Sequence, residues 1–77
     1  MDRIGALIRC HRQKSGLTQK QLADLAGVGK TVVFDIEHGK ETVQFNSLQS
    51  VCQVLNISIH LDSPVMEQCE EEIHAES

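Results

Sequence analysis

The sequence predicts an all-α domain of four helices followed by one short C-terminal strand, and three observations predict it. Two stretches carry apolar residues at helical spacing, a glycine or asparagine stands where each of four helices has to stop, and a five-residue alternation of apolar and polar residues follows the last of them.

Ile4, Leu7, Ile8 and His11 recur at i, i+3, i+4 and i+7, which predicts a first helix over roughly residues 3 to 14, stopped by Ser15-Gly16. Thr18 precedes Gln19-Lys20-Gln21, so its hydroxyl can cap a second helix, with Gln21 at the reciprocal capping-box position. That helix runs to about Ala26. Gly27 supplies the left-handed geometry of a sharp turn, and a third helix resumes near Lys30 and ends before Gly39. Residues 40 to 45 lack a helical period and read as a loop. Asn46 with Gln49 offers a further cap ahead of the stripe Leu48, Val51, Cys52 and Leu55, a fourth helix that Asn56 can terminate. Ile57-Ser58-Ile59-His60-Leu61 then alternates as a half-buried strand does, and Pro64 ends it.

Size and composition narrow the function. Seventy-seven residues, 40% of them apolar, build one small core, and with Phe34 and Phe45 the only aromatic residues that core must consist of Leu, Ile, Val and Ala. Further burial has to come from a partner chain, so a dimer is expected. Residues 1–61 hold seven basic residues against five acids. Residues 62–77 hold six acids and no base, so a mildly basic body carries an acidic tail, which composition predicts to be disordered. The division expected is therefore 1–61, a body suited to phosphate binding and dimerisation, and 62–77, an acidic appendage. Cys10, Cys52 and Cys69 are odd in number and form no Cys-x-x-Cys pair, which argues against a disulfide framework or zinc ribbon and suits a reducing, cytoplasmic setting. No stretch of 18 apolar residues marks a membrane span, and no signal peptide is evident.

The residues from Gln19 to Ile36 carry the function. Ala23 is small where two helices cross, Gly27 makes the turn, and Val28, Val33 and Ile36 plug the angle into the core. Leu17-Thr18-Gln19-Lys20-Gln21-Leu22-Ala23, Gly27-Val28-Gly29 and Ile36-Glu37-His38-Gly39-Lys40 together resemble the phage repressor and Cro (Xre-type) helix-turn-helix family over roughly residues 3 to 56. Leu55 to Leu61, a helix end running into a strand, resembles the HipB-type antitoxins, which repress their own operon and bind a HipA-type kinase toxin.

The resemblance implies a homodimeric repressor of operator DNA, with a phage-repressor-like fold and a role for each matching position. Gly29, Lys30, Thr31 and Asp35 occupy positions that read base edges in the major groove. Gln19 and Lys40 occupy phosphate-contacting positions, and Arg12 and Glu37 those of an ion pair tying the first helix to the third. Ile57, Ile59 and Leu61 would form the dimer strand. The chain departs from the pattern at Asp35, an acid where an amide or arginine is usual, which either accepts from a cytosine amino group or neutralises Lys30. Gly29 is a poorer cap than serine or threonine, and Phe34 is a large apolar residue on a face expected to be wet.

Other chemistries fit less well. Gly27-Val28-Gly29-Lys30-Thr31 imitates the end of a phosphate-binding loop, but position 24 is Asp, and the chain is too short for a nucleotide-binding sheet. His11, His38, His60 and His74 lack metal-ligand spacing, and Ser15, Ser47 and Ser50 lack a plausible base, so neither a metal, a cofactor nor catalysis is expected. The alternatives left open are a free-standing repressor, a restriction-modification controller protein, and a module that inhibits a kinase toxin with little DNA binding.

Overall fold

In the computed structural model, which describes residues 2–76, five helices follow one another: α1 (Asp2–Lys14), α2 (Gln19–Ala26), α3 (Lys30–Glu37), α4 (Phe45–Val54) and α5 (Met66–Glu76). Met1 and Ser77, the outer ends of the two predicted segments, lie outside the described residues.

The turn between α2 and α3 is built by local chemistry. The Thr18 hydroxyl accepts the Gln21 N–H at 3.1 Å while the Gln21 side-chain oxygen accepts the Thr18 N–H at 2.8 Å, so both halves of the capping box form. Such a cap contributes about 1 kcal/mol. At the other end Gly27 adopts φ 72° and ψ 30°, and the Val28 N–H closes on the Ala23 carbonyl at 3.0 Å. A side chain at residue 27 would strain this left-handed turn.

The core joins α1 to α4: Ile8, Leu22, Val33 and Val51 are fully buried, with Ala23, Ile36, Leu48, Cys52 and Leu55 around them. Each of the four fully buried side chains stabilises the fold by about 1.5–3 kcal/mol. Helix α1 and the end of α3 approach each other closely. A Cβ on Gly5 would sit 2.8 Å from the Glu37 carbonyl oxygen and nearer still to that of Ile36, so α1 can lie against α3 only because residue 5 has no side chain.

Three expectations need correction. Helix α4 begins at Phe45, with Gln44 as a cap that makes no side-chain bond, so Asn46 lies inside the first turn and the Asn46–Gln49 box does not form. Its end follows the sequence: Asn56 takes φ 58°, and the Ile57 N–H bonds the Cys52 carbonyl at 2.8 Å. The strand predicted at Ile57, Ile59 and Leu61 is absent among the described residues. A strand is defined by its ladder, and one extended segment has none to join within a single chain. Ile57 packs on the core, whereas Ile59 and Leu61 are exposed.

The third correction concerns the tail, which composition marked as disordered and which carries helix α5. Glu, Gln, Met and Ala favour helix, and neither Gly nor Pro interrupts Met66–Glu76. This helix stands away from the core: residues 67–75 are all exposed, and only Met66 is half-buried.

Candidate nucleic-acid interface

Helix α3 has two unlike faces. Its inner face buries Val33 and Ile36, while Lys30, Thr31 and Phe34 are exposed on the outer one. Gln19, which opens α2, joins those three residues in lining one shallow recess. The first main-chain N–H groups of a helix have no internal acceptor, so the start of α2 beside this recess presents donors suited to a phosphate.

The angle of α3 is fixed from behind by one carboxylate. Glu37, with its side chain 1% exposed, accepts from Arg12 Nε at 2.6 Å, Arg12 Nη2 at 3.1 Å and Gln19 Nε2 at 3.2 Å. Arg12 Nη1 donates further to the Leu17 carbonyl at 2.9 Å. A buried carboxylate is costly unless its oxygens are satisfied, and here donors from two helices satisfy them. The hydrogen bonds to Glu37 hold the Arg12 guanidinium pKa above its ordinary value, outweighing burial, so the charge persists at any working pH. α1, α2 and α3 thus meet on one anion.

The residues predicted to touch DNA fall into different settings. Lys30 has no carboxylate within 4.0 Å among the described residues and projects freely from the first turn of α3, next to exposed Thr31. Gly29 caps α3 through its carbonyl, and a Cβ there would meet nothing, so the fold does not demand glycine at this position. Asp35 does not neutralise Lys30: its carboxylate faces Lys40 Nζ at 3.4 Å, with the side chains 24% and 57% exposed. At this distance, with Lys40 exposed, the pair contributes about 0–1 kcal/mol, so Lys40 is held only loosely. Gln19 is committed through its side-chain amide to Glu37, which makes it part of the lock as well as the edge of the recess.

Two features were announced in the sequence only by spacing. The Phe34 ring stacks on His38, with centroids 3.9 Å apart and planes inclined by 22°, and His38 Nδ1 lies 2.8 Å from the Phe34 carbonyl. A side chain four residues on along a helix was the available clue. The second feature is an apolar groove of about 350 Å³ between α1, α4 and residues 57–59. Ile4, Leu7, Phe45 and Ile59 line it while remaining 40%, 45%, 56% and 41% exposed. The stripe on α1 is therefore only half covered.

Elsewhere, no three His, Cys, Asp or Glu residues among those described are grouped so that they could hold a metal ion, and no helix there is long and apolar enough to cross a membrane. Burial raises the pKa of the Cys52 thiol and leaves it packed in the core.

Comparison with known proteins gives a consistent result. The helix-turn-helix family profile matches residues 8–61. The chain is 43% identical over 61 residues to an uncharacterized HTH-type transcriptional regulator, y4mF, of Sinorhizobium fredii, covering 79% of this chain and 80% of that protein. It is 37% identical over 60 residues to the HTH-type transcriptional regulator SinR of Bacillus subtilis, covering 74% of this chain and 52% of SinR, and equally similar to SinR of Bacillus licheniformis. The chain thus spans about half the length of SinR.

Proposed function

Because this chain belongs to the helix-turn-helix family, which it matches over residues 8–61, we propose that it is a DNA-binding transcriptional regulator, acting as a homodimeric repressor that reads its operator with the outer face of α3. The observation that carries this reading is the contrast across α3. An inner face locked by Arg12 and Glu37 holds an outer face on which Lys30 has no carboxylate partner among the described residues and Thr31 is exposed. A helix of eight residues fits the major groove, where Lys30 donates to guanine O6 or N7 and Thr31 and Asp35 meet neighbouring base edges. Gly29 allows the backbone at the helix start to come close. The start of α2 at Gln19 and the loosely held Lys40 bind phosphates on either side and set the register.

The half-covered groove supports the dimer. A second copy placed on it buries Ile4, Leu7, Phe45 and Ile59 in both chains and gives Ile57 to Leu61 the backbone partner that one chain lacks. Two-fold symmetry then sets two α3 helices about 34 Å apart and favours a palindromic operator. An antitoxin role, with a HipA-type kinase toxin as second partner, is the finer form of the proposal. It draws on the sequence of residues 55–61 and is tested by co-purification from the native operon.

Selection from a pool of randomised duplexes, with sedimentation of the protein, tests the proposal. A palindromic consensus and a dimer are expected, as is joint loss of dimer and binding in Ile59→Pro, which removes a ladder donor. Failure of any sequence to enrich would overturn the DNA reading. A parent monomer, or an Ile59→Pro variant as dimeric as its parent, would overturn the paired segment.

A further inference from the structure

Phe34 is the large apolar side chain on the outer face of α3. It is 47% exposed and lies outside the groove that a second copy would cover. Isolated exposed apolar residues are common and need no explanation by themselves. Two observations set Phe34 apart. Its ring is braced by the face of His38 at 3.9 Å, and it lines the same recess as Lys30, Thr31 and Gln19, on the face that points away from the core.

We propose that Phe34 is a base-reading residue whose ring meets the 5-methyl group of a thymine in the major groove. The assignment rests on the DNA-reading role of α3 given above. The thymine methyl is the apolar group that a base presents in that groove, and a phenyl ring is among the side chains that recognise it. Phe34 follows Lys30 by four residues and Thr31 by three, so all three share one face. Four residues advance about 6 Å along a helix, which puts this thymine one or two base pairs from the base that Lys30 reads. The stack on His38 limits the ring's freedom before DNA arrives, so less entropy is lost when the methyl group is covered. Asp35 does not line this recess, whose exposed apolar surface comes from Phe34 and the Thr31 methyl group.

The test uses the duplex enriched from the randomised pool, with each thymine of one half-site replaced in turn by deoxyuridine, which lacks only the methyl group. At one position the parent should lose about fourfold in affinity, the equivalent of one buried methyl-sized group. Phe34→Ala should bind the thymine and uracil duplexes equally there, whereas Thr31→Ser should still distinguish them. Thermal melting verifies that Phe34→Ala is folded. A second measurement needs no variant: with 5-iododeoxyuridine at that position, irradiation of the parent should cross-link residue 34, located by mass spectrometry. Equal parent affinity for every uracil duplex would overturn the proposal. So would a methyl dependence that survives in Phe34→Ala and vanishes in Thr31→Ser, or a cross-link on a peptide lacking residue 34. Absence of any enriched duplex would instead bring down the DNA reading and this assignment with it.

Discussion

Replacing Arg12 by Ala tests how firmly α3 is held. The substitution removes two of the three donors to Glu37, those at 2.6 and 3.1 Å, and takes the guanidinium from the Leu17 carbonyl. Gln19 remains at 3.2 Å, and the site of a side chain that was 11% exposed lets water approach one edge of the carboxylate. Breaking a fully buried pair costs roughly 3–5 kcal/mol, and these two reliefs place Arg12→Ala near the lower end, at about 3 kcal/mol. A chain of this size has roughly 4–12 kcal/mol in total, so the loss is a large share of its stability. Thermal unfolding followed by circular dichroism should show the midpoint fall by at least about 12 °C. The double variant Arg12→Met with Glu37→Met, which leaves no buried charge, should recover most of that loss. A decrease under about 1 kcal/mol in Arg12→Ala would show that the pair acts as an exposed one and would refute the lock.

Gly5→Ala should destabilise by about 2–3 kcal/mol in denaturant titration, because the new methyl group meets the Ile36 and Glu37 carbonyls rather than flexible side chains; a neutral result would contradict the close approach of α1 to α3. Iodoacetamide should modify Cys10 and Cys69 in the native protein and Cys52 only on unfolding, since the first two are exposed and the third is buried with its thiol pKa raised. The same shift gives a sign. Below the ordinary thiol range both states are protonated, whereas above about pH 8.5 the unfolded thiol ionises first, so stability should fall there in the parent and less in Cys52→Ala.

Much of the helical frame was legible because its signals are local. Thr18 and Gln21 cap each other wherever the chain is read, Gly27 has to accept a positive φ, and Leu48, Val51, Cys52 and Leu55 declare a buried stripe by spacing alone. Much of what escaped depends on contacts that the folded chain makes and no single stretch displays. Gly5 reads as a weak point in a helix until α3 lies across it. Gln19 gives no sign in the sequence of its bond to Glu37 at 3.2 Å, and Asp35, five residues from both Lys30 and Lys40, gives no sign that it faces Lys40. The segment from Ile57 to Leu61 alternates as a strand does, but alternation does not supply the second backbone a ladder needs. In α5 the density of acids hid both good helix formers and the spacing of Met66, Cys69 and Ile73.

Lys30 tests the central claim most directly, because it is the cation on the outer face of α3 that no carboxylate among the described residues holds. The measurement is a titration of parent and Lys30→Ala against the enriched duplex and against a scrambled duplex at one salt concentration. The account predicts a loss of about 1–3 kcal/mol on the enriched duplex and little change on the scrambled one, the signature of a base contact. Equal losses on the two would make Lys30 a phosphate contact only and contradict the assignment of sequence reading to this face of α3.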